Sequence, residues 1–360
     1  MATEATAHPV RARRDASSLI LPAVGLTLVA LVVAWLIVNL VQDPARFFRI
    51  FQIGISQGAL YALVALGYTL VYGILELINF AHGDVFMLGG MVTASVVLEI
   101  FGLGENPAFG VLMASLLVSL VLATGGCALL NATVERVAYK PLRNAPRLAP
   151  LITAIGVSFI LENVAIIWKG TRPVALPETV LAAGSGHEIF TIGTCPNCVV
   201  YTSDRLFVVA VTVPVLLGLL WLVRFTRQGK AMRATAQDKD AAAMMGIDVD
   251  RTISFTFLVA GALAGVGGVI FAYYATTIGY STGFTLGLFA FTAAVLGGIG
   301  NLPGAVLGAV LIGLIQAFNE GLPWHAPGPA WTQALVFSIL ILILVFRPQG
   351  LLGEQTPEGG

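Results

Sequence analysis

The chain has 360 residues, with 19 Lys or Arg against 19 Asp or Glu and therefore no formal net charge. Apolar side chains make up 57% and charged ones 11%, where a soluble domain carries roughly 25% charged residues. A soluble globule cannot cover that much apolar surface, and with no basic excess a nucleic-acid binder is excluded; what remains is a polytopic, all-α membrane protein with lipid as most of its solvent.

A helical span needs about 20 mostly apolar residues. Clear spans are expected at 19–41, 51–75, 108–130, 150–168, 206–223, 253–275 and 331–346, with shorter apolar runs at 85–101, 286–299 and 304–319. That makes ten. The pair 286–299 and 304–319, joined by Gly300-Asn301-Leu302-Pro303, also reads as two half-helices or a re-entrant hairpin, which leaves eight full spans plus a broken pair. The runs are continuous rather than alternating, so a β-barrel is ruled out. The first run follows Arg11, Arg13 and Arg14 but is longer than a signal-peptide core of about 7–15 residues, so it is read as an uncleaved helix. The expected layout is a tail 1–18, a membrane domain 19–347 and a tail 348–360.

Basic residues set the orientation. With the N-terminus in the cytoplasm and ten alternating spans, 14 of the 19 Lys and Arg fall inside and 5 outside, the bias expected of the positive-inside rule. Both termini are then cytoplasmic, and they stay so if the short pair is a hairpin. Cys195 and Cys198 fall in the longest outer segment, 169–205, where a disulfide or two free thiols fit better than a metal site. Cys127 sits inside a span as a small apolar residue. Small residues recur at four-residue spacing (Ala260, Ala264, Gly268; Ala305, Ala309, Gly313), as close helix packing in lipid requires.

The densest polar stretch beside the membrane is 76–84. Glu76, Asn79 and His82 are three apart, hence on one helical face; Gly83 suits a helix C-cap and Asp84 the N-cap of the next run. A capped break between helices and a polar gate on a translocation path both fit. Glu162 lies inside a span beside Asn163, and intramembrane carboxylates face a cavity or a partner rather than lipid; Glu99 and Glu320 read as interfacial. Gly83-Asp-Val-Phe-Met and Gly304-Ala-Val-Leu-Gly each open a short run after a polar break, a faint internal echo. The loop 224–252 is rich in helix formers between Gly229 and Gly246, with Met232, Ala236, Lys239 and Ala243 on one stripe. It is expected to form one short helix outside the membrane, either a surface connector or a docking knob, ended by Gly246 at positive φ. Nothing in the chain has the spacing of a catalytic triad or a metal site, so no enzyme activity and no cofactor are expected.

Asp240-Ala241-Ala242-x-x-x-Gly246 resembles the EAA-type loop of importer permeases, without its usual tail. Gly58-Ala-Leu-Tyr through Gly73, Ile78-Asn-Phe-Ala-His-Gly83, Glu135-Arg-Val-Ala-Tyr-Lys-Pro-Leu-Arg143, Leu148-Ala-Pro-Leu-Ile-Thr-Ala-Ile-Gly156 and Leu296-Gly-Gly-Ile-Gly-Asn-Leu-Pro-Gly304 resemble branched-chain amino acid ABC permeases of the LivH type, over roughly 50–350. The resemblance implies a second, LivM-like permease, two cytosolic ATPases that dock through Asp240, Ala241, Ala242 and Gly246, and an extracytoplasmic substrate-binding protein. It also implies a bacterial inner-membrane location. The only Gly-Lys pair, Gly229-Lys230, has Arg224 where a P-loop needs glycine, so ATP hydrolysis is expected on other subunits. A urea or short-chain amide permease of the same build is the nearest alternative, and an ion-coupled secondary transporter a more distant one.

Overall fold

The computed structural model describes residues 17–75, 79–104, 107–143, 145–146, 148–179, 181, 188–192, 199–347 and 349–353. Among them, helix dominates: α1 (Ser17–Gln42), α2 (Pro44–Leu75), α3 (Ala81–Ser95, continued by a π-helical turn Val96–Ile100), α4 (Phe109–Val134), α5 (Leu148–Lys169), α6 (Ser203–Phe225), α7 (Arg227–Gln237), α8 (Lys239–Met244), α9 (Val249–Ala275), α10 (Thr282–Gly297), α11 (Leu302–Gly321) and α12 (Pro329–Phe346). Eight of these segments are long and apolar enough to cross a membrane; α1 and α10 are the two further apolar helices of the bundle. The protein is an all-α, multi-pass membrane protein. Four short strands cross-link the loops. β1 (Val174–Ala175) pairs antiparallel with β4 (Thr277–Ile278), and β2 (Glu188–Ile192) with β3 (Val199–Thr202). The sequence pattern showed none of them, because two- to five-residue strands carry too few positions for an alternation to register.

The helices pack as the small-residue rows require. On α9, a Cβ at Gly261 would stand 3.0 Å from Ala128 Cα, and one at Gly265 would stand 2.7 Å from Thr124 Cα, so α9 lies directly on α4. On the other side α11 lies along α2: Gly321 meets Ile50, Gly54 meets Leu314, Gly58 meets Val310, and Gly73 faces Gly300. That run of contacts covers the whole of α11, antiparallel to α2. The expected re-entrant hairpin over 286–319 is therefore not formed. α11 is a full-length helix of 20 residues, and only α10, with 16, is short, about 24 Å at 1.5 Å per residue.

The packing repeats. α2 runs along α11 as α9 runs along α4; α3 rests on α9 as α10 rests on α2; α3 touches α5 as α10 touches α12. The halves are thus α1–α5 and α6 with α9–α12. Five crossings per half place them in opposite orientations, the inverted-repeat plan common among transporters. The echo expected between Gly83 and Gly304 is corrected accordingly: the structural counterpart of Gly83 is Gly283, at the start of α10. Residues 283–287 lack the residue pattern of 83–87, so only the packing reveals the pair.

Candidate functional site

α3 does not begin at a face of the bundle. His82, in its first turn, stands over Gly67, eight residues before the end of α2, and Gly83 lies against Gly287, ten residues before the end of α10. At 1.5 Å per residue these are depths of about 12 and 15 Å, half of a hydrocarbon core of about 30 Å. α10 begins at the same level, since a Cβ at Gly283 would lie 2.9 Å from Asp84 Cα and 2.9 Å from its Oδ1. Two short helices thus start nose to nose in the middle of the bundle, one from each half.

The polar residues of 79–84 serve this junction. The helix starts at Ala81 with Phe80 at its N-cap, so Gly83 and Asp84 are both in its first turn. The expected C-cap at Gly83 and N-cap at Asp84 do not occur. Gly83 is selected for close approach instead: a Cβ there would lie 2.9 Å from Gly287 Cα and strike the Gly283 carbonyl. Asp84 is fully buried and accepts a 2.5 Å hydrogen bond from Ser158 Oγ of α5. Its charge sits at its own helix N-terminus and beside that of α10, both of which favour an anion. His82 is buried against the Tyr68 ring, centroids 5.0 Å apart and nearly perpendicular. The expected common helical face of Glu76, Asn79 and His82 is also corrected: α2 ends at Leu75 and Asn79 is non-helical. Glu76 lies outside the described residues. Asn79 is buried, and its Oδ1 accepts a 2.7 Å hydrogen bond from the Tyr139 hydroxyl.

Glu162 is half-buried and Asn163 exposed on α5, one turn and more beyond Ser158. Gly156 on the same helix has open space in front of it, and Ile152, Phe159, Ile160 and Ile167 are exposed. Together with α12, α5 is the least buried of the eight long helices. Glu99 is largely exposed and pairs with Lys169 at 2.5 Å, where α3 and α5 end together. Cys127 is buried as expected, its Sγ 3.3 Å from the Val85 carbonyl. Cys195 and Cys198 lie outside the described residues.

The loop after α6 forms two helices rather than the one expected. The interruption is Asp238, whose carboxylate accepts from the backbone N–H of Asp240 at 2.8 Å and Ala241 at 2.9 Å and so caps α8. Thr226 caps α7 through Gly229 N–H, and Asp248 caps α9 through Arg251 N–H, both at 3.0 Å. Three side-chain caps in 23 residues, each worth about 1 kcal/mol, make this loop a built structure. Helix propensity alone had concealed them. Gly246 has φ 82°, as its place after the helix suggested. Met232 and Ala242 are buried in the chain's own packing; Asp240 is exposed and Ala241 half-buried. The exposed tip is Met244 and Met245, at 82% and 83% exposure. Two adjacent apolar residues just before a glycine turn were the available sequence signal.

Beside this loop lies a charged cluster, built on the Glu135–Arg143 stretch that carries part of the family resemblance. α4 ends in a π-helical turn, Glu135–Tyr139, a rare geometry that concentrates at functional positions. It turns Glu135 and Tyr139 inward, with Glu135 fully buried. Glu135 pairs with Arg143 and accepts a 2.7 Å bond from Ser254; Arg143 also pairs with Asp250, which Lys140 reaches at 2.8 Å.

Ten apolar helices in two opposed halves, with a polar junction at mid-bundle and a capped helical loop on one face, define a multi-pass membrane permease. Comparison with known proteins agrees. The family model for the permease component of branched-chain amino acid transport systems matches residues 50–345. The high-affinity branched-chain amino acid transport permease BraD of Pseudomonas aeruginosa is 38% identical over 307 residues, 85% of this chain and 95% of its own. LivH of Escherichia coli K12 is 37% identical over 306 residues, with the same coverage of each chain. LivH of Salmonella typhimurium is 36% identical over 308 residues, again covering 85% and 95%. The chain belongs to the branched-chain amino acid transport permease family, as its motifs suggested.

Proposed function

We propose that this chain forms part of the translocation path for branched-chain or related hydrophobic amino acids in an ATP-driven importer. The observation that carries the reading is the family match over residues 50–345, together with relatives whose names specify branched-chain amino acids. ATP hydrolysis belongs to two cytosolic subunits, which dock on α7–α8. A soluble binding protein delivers substrate to the opposite face.

The open face of α5 supports a second, LivM-like permease as the remaining partner. A carboxylate near the bilayer centre costs about 2.5–3.5 kcal/mol if left in lipid. A partner helix and a water-filled path relieve that cost at Glu162 and Asn163. A branched-chain amino acid presents an ammonium group that Glu162 complements and an apolar side chain that Ile155 and Phe159 accommodate. Asp84 is one turn away through Ser158, so the path borders the mid-bundle junction, with Asn79 and His82 forming its buried wall.

The test is uptake of labelled leucine by cells lacking their own system and supplied with the full set of subunits. Uptake should depend on this chain, and Glu162→Gln should raise KM about ten-fold or more, the worth of a hydrogen bond to a charged group. An unchanged KM removes Glu162 from the path; uptake of urea in place of leucine replaces the substrate. Orientation has its own test. Reporter fusions at Ala2 and after Gly360 should both report from the cytoplasm, since 14 of 19 basic residues then lie inside. A periplasmic signal at either end breaks the even number of crossings.

A further inference from the structure

The loop that docks an ATPase and the junction where α3 begins are separated by about half the membrane, yet bonded side chains join them without a gap. Asp248 caps α9 and closes the loop; two residues on, Asp250 holds Lys140 and Arg143. Arg143 holds the buried Glu135, which Ser254 also grips from α9. The segment 135–143 is therefore clamped to the first turns of α9 by three polar contacts. From the same π-helical turn, the Tyr139 hydroxyl donates to Asn79 at 2.7 Å, with both residues buried. Asn79 is the hinge residue: its carbonyl accepts from His82 N–H at 3.1 Å, in the first turn of α3. That turn carries Gly83 onto α10 and Asp84 onto α5.

We propose that residues 135–143 are the transmission element between the docking loop and the mid-membrane junction, and that Tyr139 is the positioning residue through which movement of α9 reaches Asn79 and turns α3. The inference rests on the proposed function, since it needs an ATPase on α7–α8. Three features favour transmission over ordinary packing. Glu135 is fully buried and accepts from Ser254 of α9, a bond that is costly to leave unmade once its partners are out of water, so 135–143 moves with α9. The Tyr139–Asn79 bond joins that segment to the start of α3, and it falls on a non-helical residue able to change its backbone angles. The Asn79 side-chain nitrogen is buried without a partner, leaving it free to exchange partners when the hinge turns.

The experiment uses the full complex in detergent or nanodiscs. Hydrogen–deuterium exchange is read at 79–86 and at 227–246, without nucleotide and with ATP in a hydrolysis-deficient complex. In the wild type both segments should respond to ATP. Tyr139→Phe keeps the ring packed on Phe257, 5.5 Å away, and removes only the hydroxyl. It should cut the response at 79–86 by about five-fold or more, the lower range of site-to-site coupling, and leave the response at 227–246 intact. Asp250→Asn should have the same effect, and the double variant should be no worse than either single one, as members of one series must be. A response at 79–86 that survives Tyr139→Phe, or additive effects in the double variant, overturns the linkage. ATPase subunits that fail to bind the wild-type chain count instead against the proposed function.

Discussion

Replacing Gly83 with valine is expected to destabilise the protein severely. The two half-helices touch backbone to backbone: a Cβ on Gly83 lies 2.9 Å from Gly287 Cα and collides with the Gly283 carbonyl. Neither atom belongs to a side chain that can rotate away, so one of the helices must shift. α3 cannot shift cheaply, because Gly89, Gly90 and Gly268 hold it equally close to α9 and Ile278. Overpacking costs about 1–3 kcal/mol where side chains can adapt. Here backbone must move in a protein whose total stability is on the order of 5–15 kcal/mol, so the loss should reach or exceed about 3 kcal/mol. Size-exclusion profiles and thermal melting in detergent measure it. Gly218→Val is the control, because a Cβ there meets nothing within 4 Å and should change neither. A Gly83→Val protein that melts like the wild type would show that α3 and α10 do not meet as described.

Converting Met244 and Met245 together to glutamate should abolish ATPase co-purification while leaving the membrane domain intact. Both side chains are more than four-fifths exposed, at the tip of a loop that three caps hold rigid. Exposed apolar anchors on a pre-organised element are what a docking contact needs, since little ordering cost remains on binding. Central interface residues lose about 2 kcal/mol or more on truncation. The pair is therefore expected to weaken association by at least about a hundred-fold, at 1.4 kcal/mol per factor of ten. Ala242→Glu is a poorer probe, because Ala242 is buried within the chain and its replacement disturbs α8 before any partner arrives. Retained co-purification of the double variant would move the docking contact elsewhere, with the basic segment around Arg136 and Lys140 next in line.

The loop between α6 and α9 shows how far local sequence carries. Its position, its helical content and the positive φ at Gly246 were legible, because propensity and the glycine C-cap are properties of neighbouring residues. The break at Asp238 was legible in principle, since Asp at an N-cap is a local signal, but the unbroken run of helix formers outweighed it. The inward face of Ala242 was not legible: it depends on what α9 and α2 present from elsewhere in the chain. The candidate site divides in the same way. Asp84 and Glu162 stood out as carboxylates within apolar sequence, whereas Glu135, as fully buried as Asp84, reads as part of a basic surface loop until Arg143, Ser254 and Asp250 are seen around it.

The sequence by itself determined the class of this protein and its family. The reason is that lipid offers no hydrogen bonds, so every crossing must be an apolar helix of a set length, whatever its neighbours. Only the tertiary structure decided that α11 runs the length of α2 while α10 begins in mid-bundle, that the counterpart of Gly83 is Gly283 and not Gly304, and that Tyr139 bonds to Asn79. These facts rest on contacts between residues 60 to 271 positions apart. In a membrane such contacts are made by small residues and single hydrogen bonds, which leave no periodic trace in the chain.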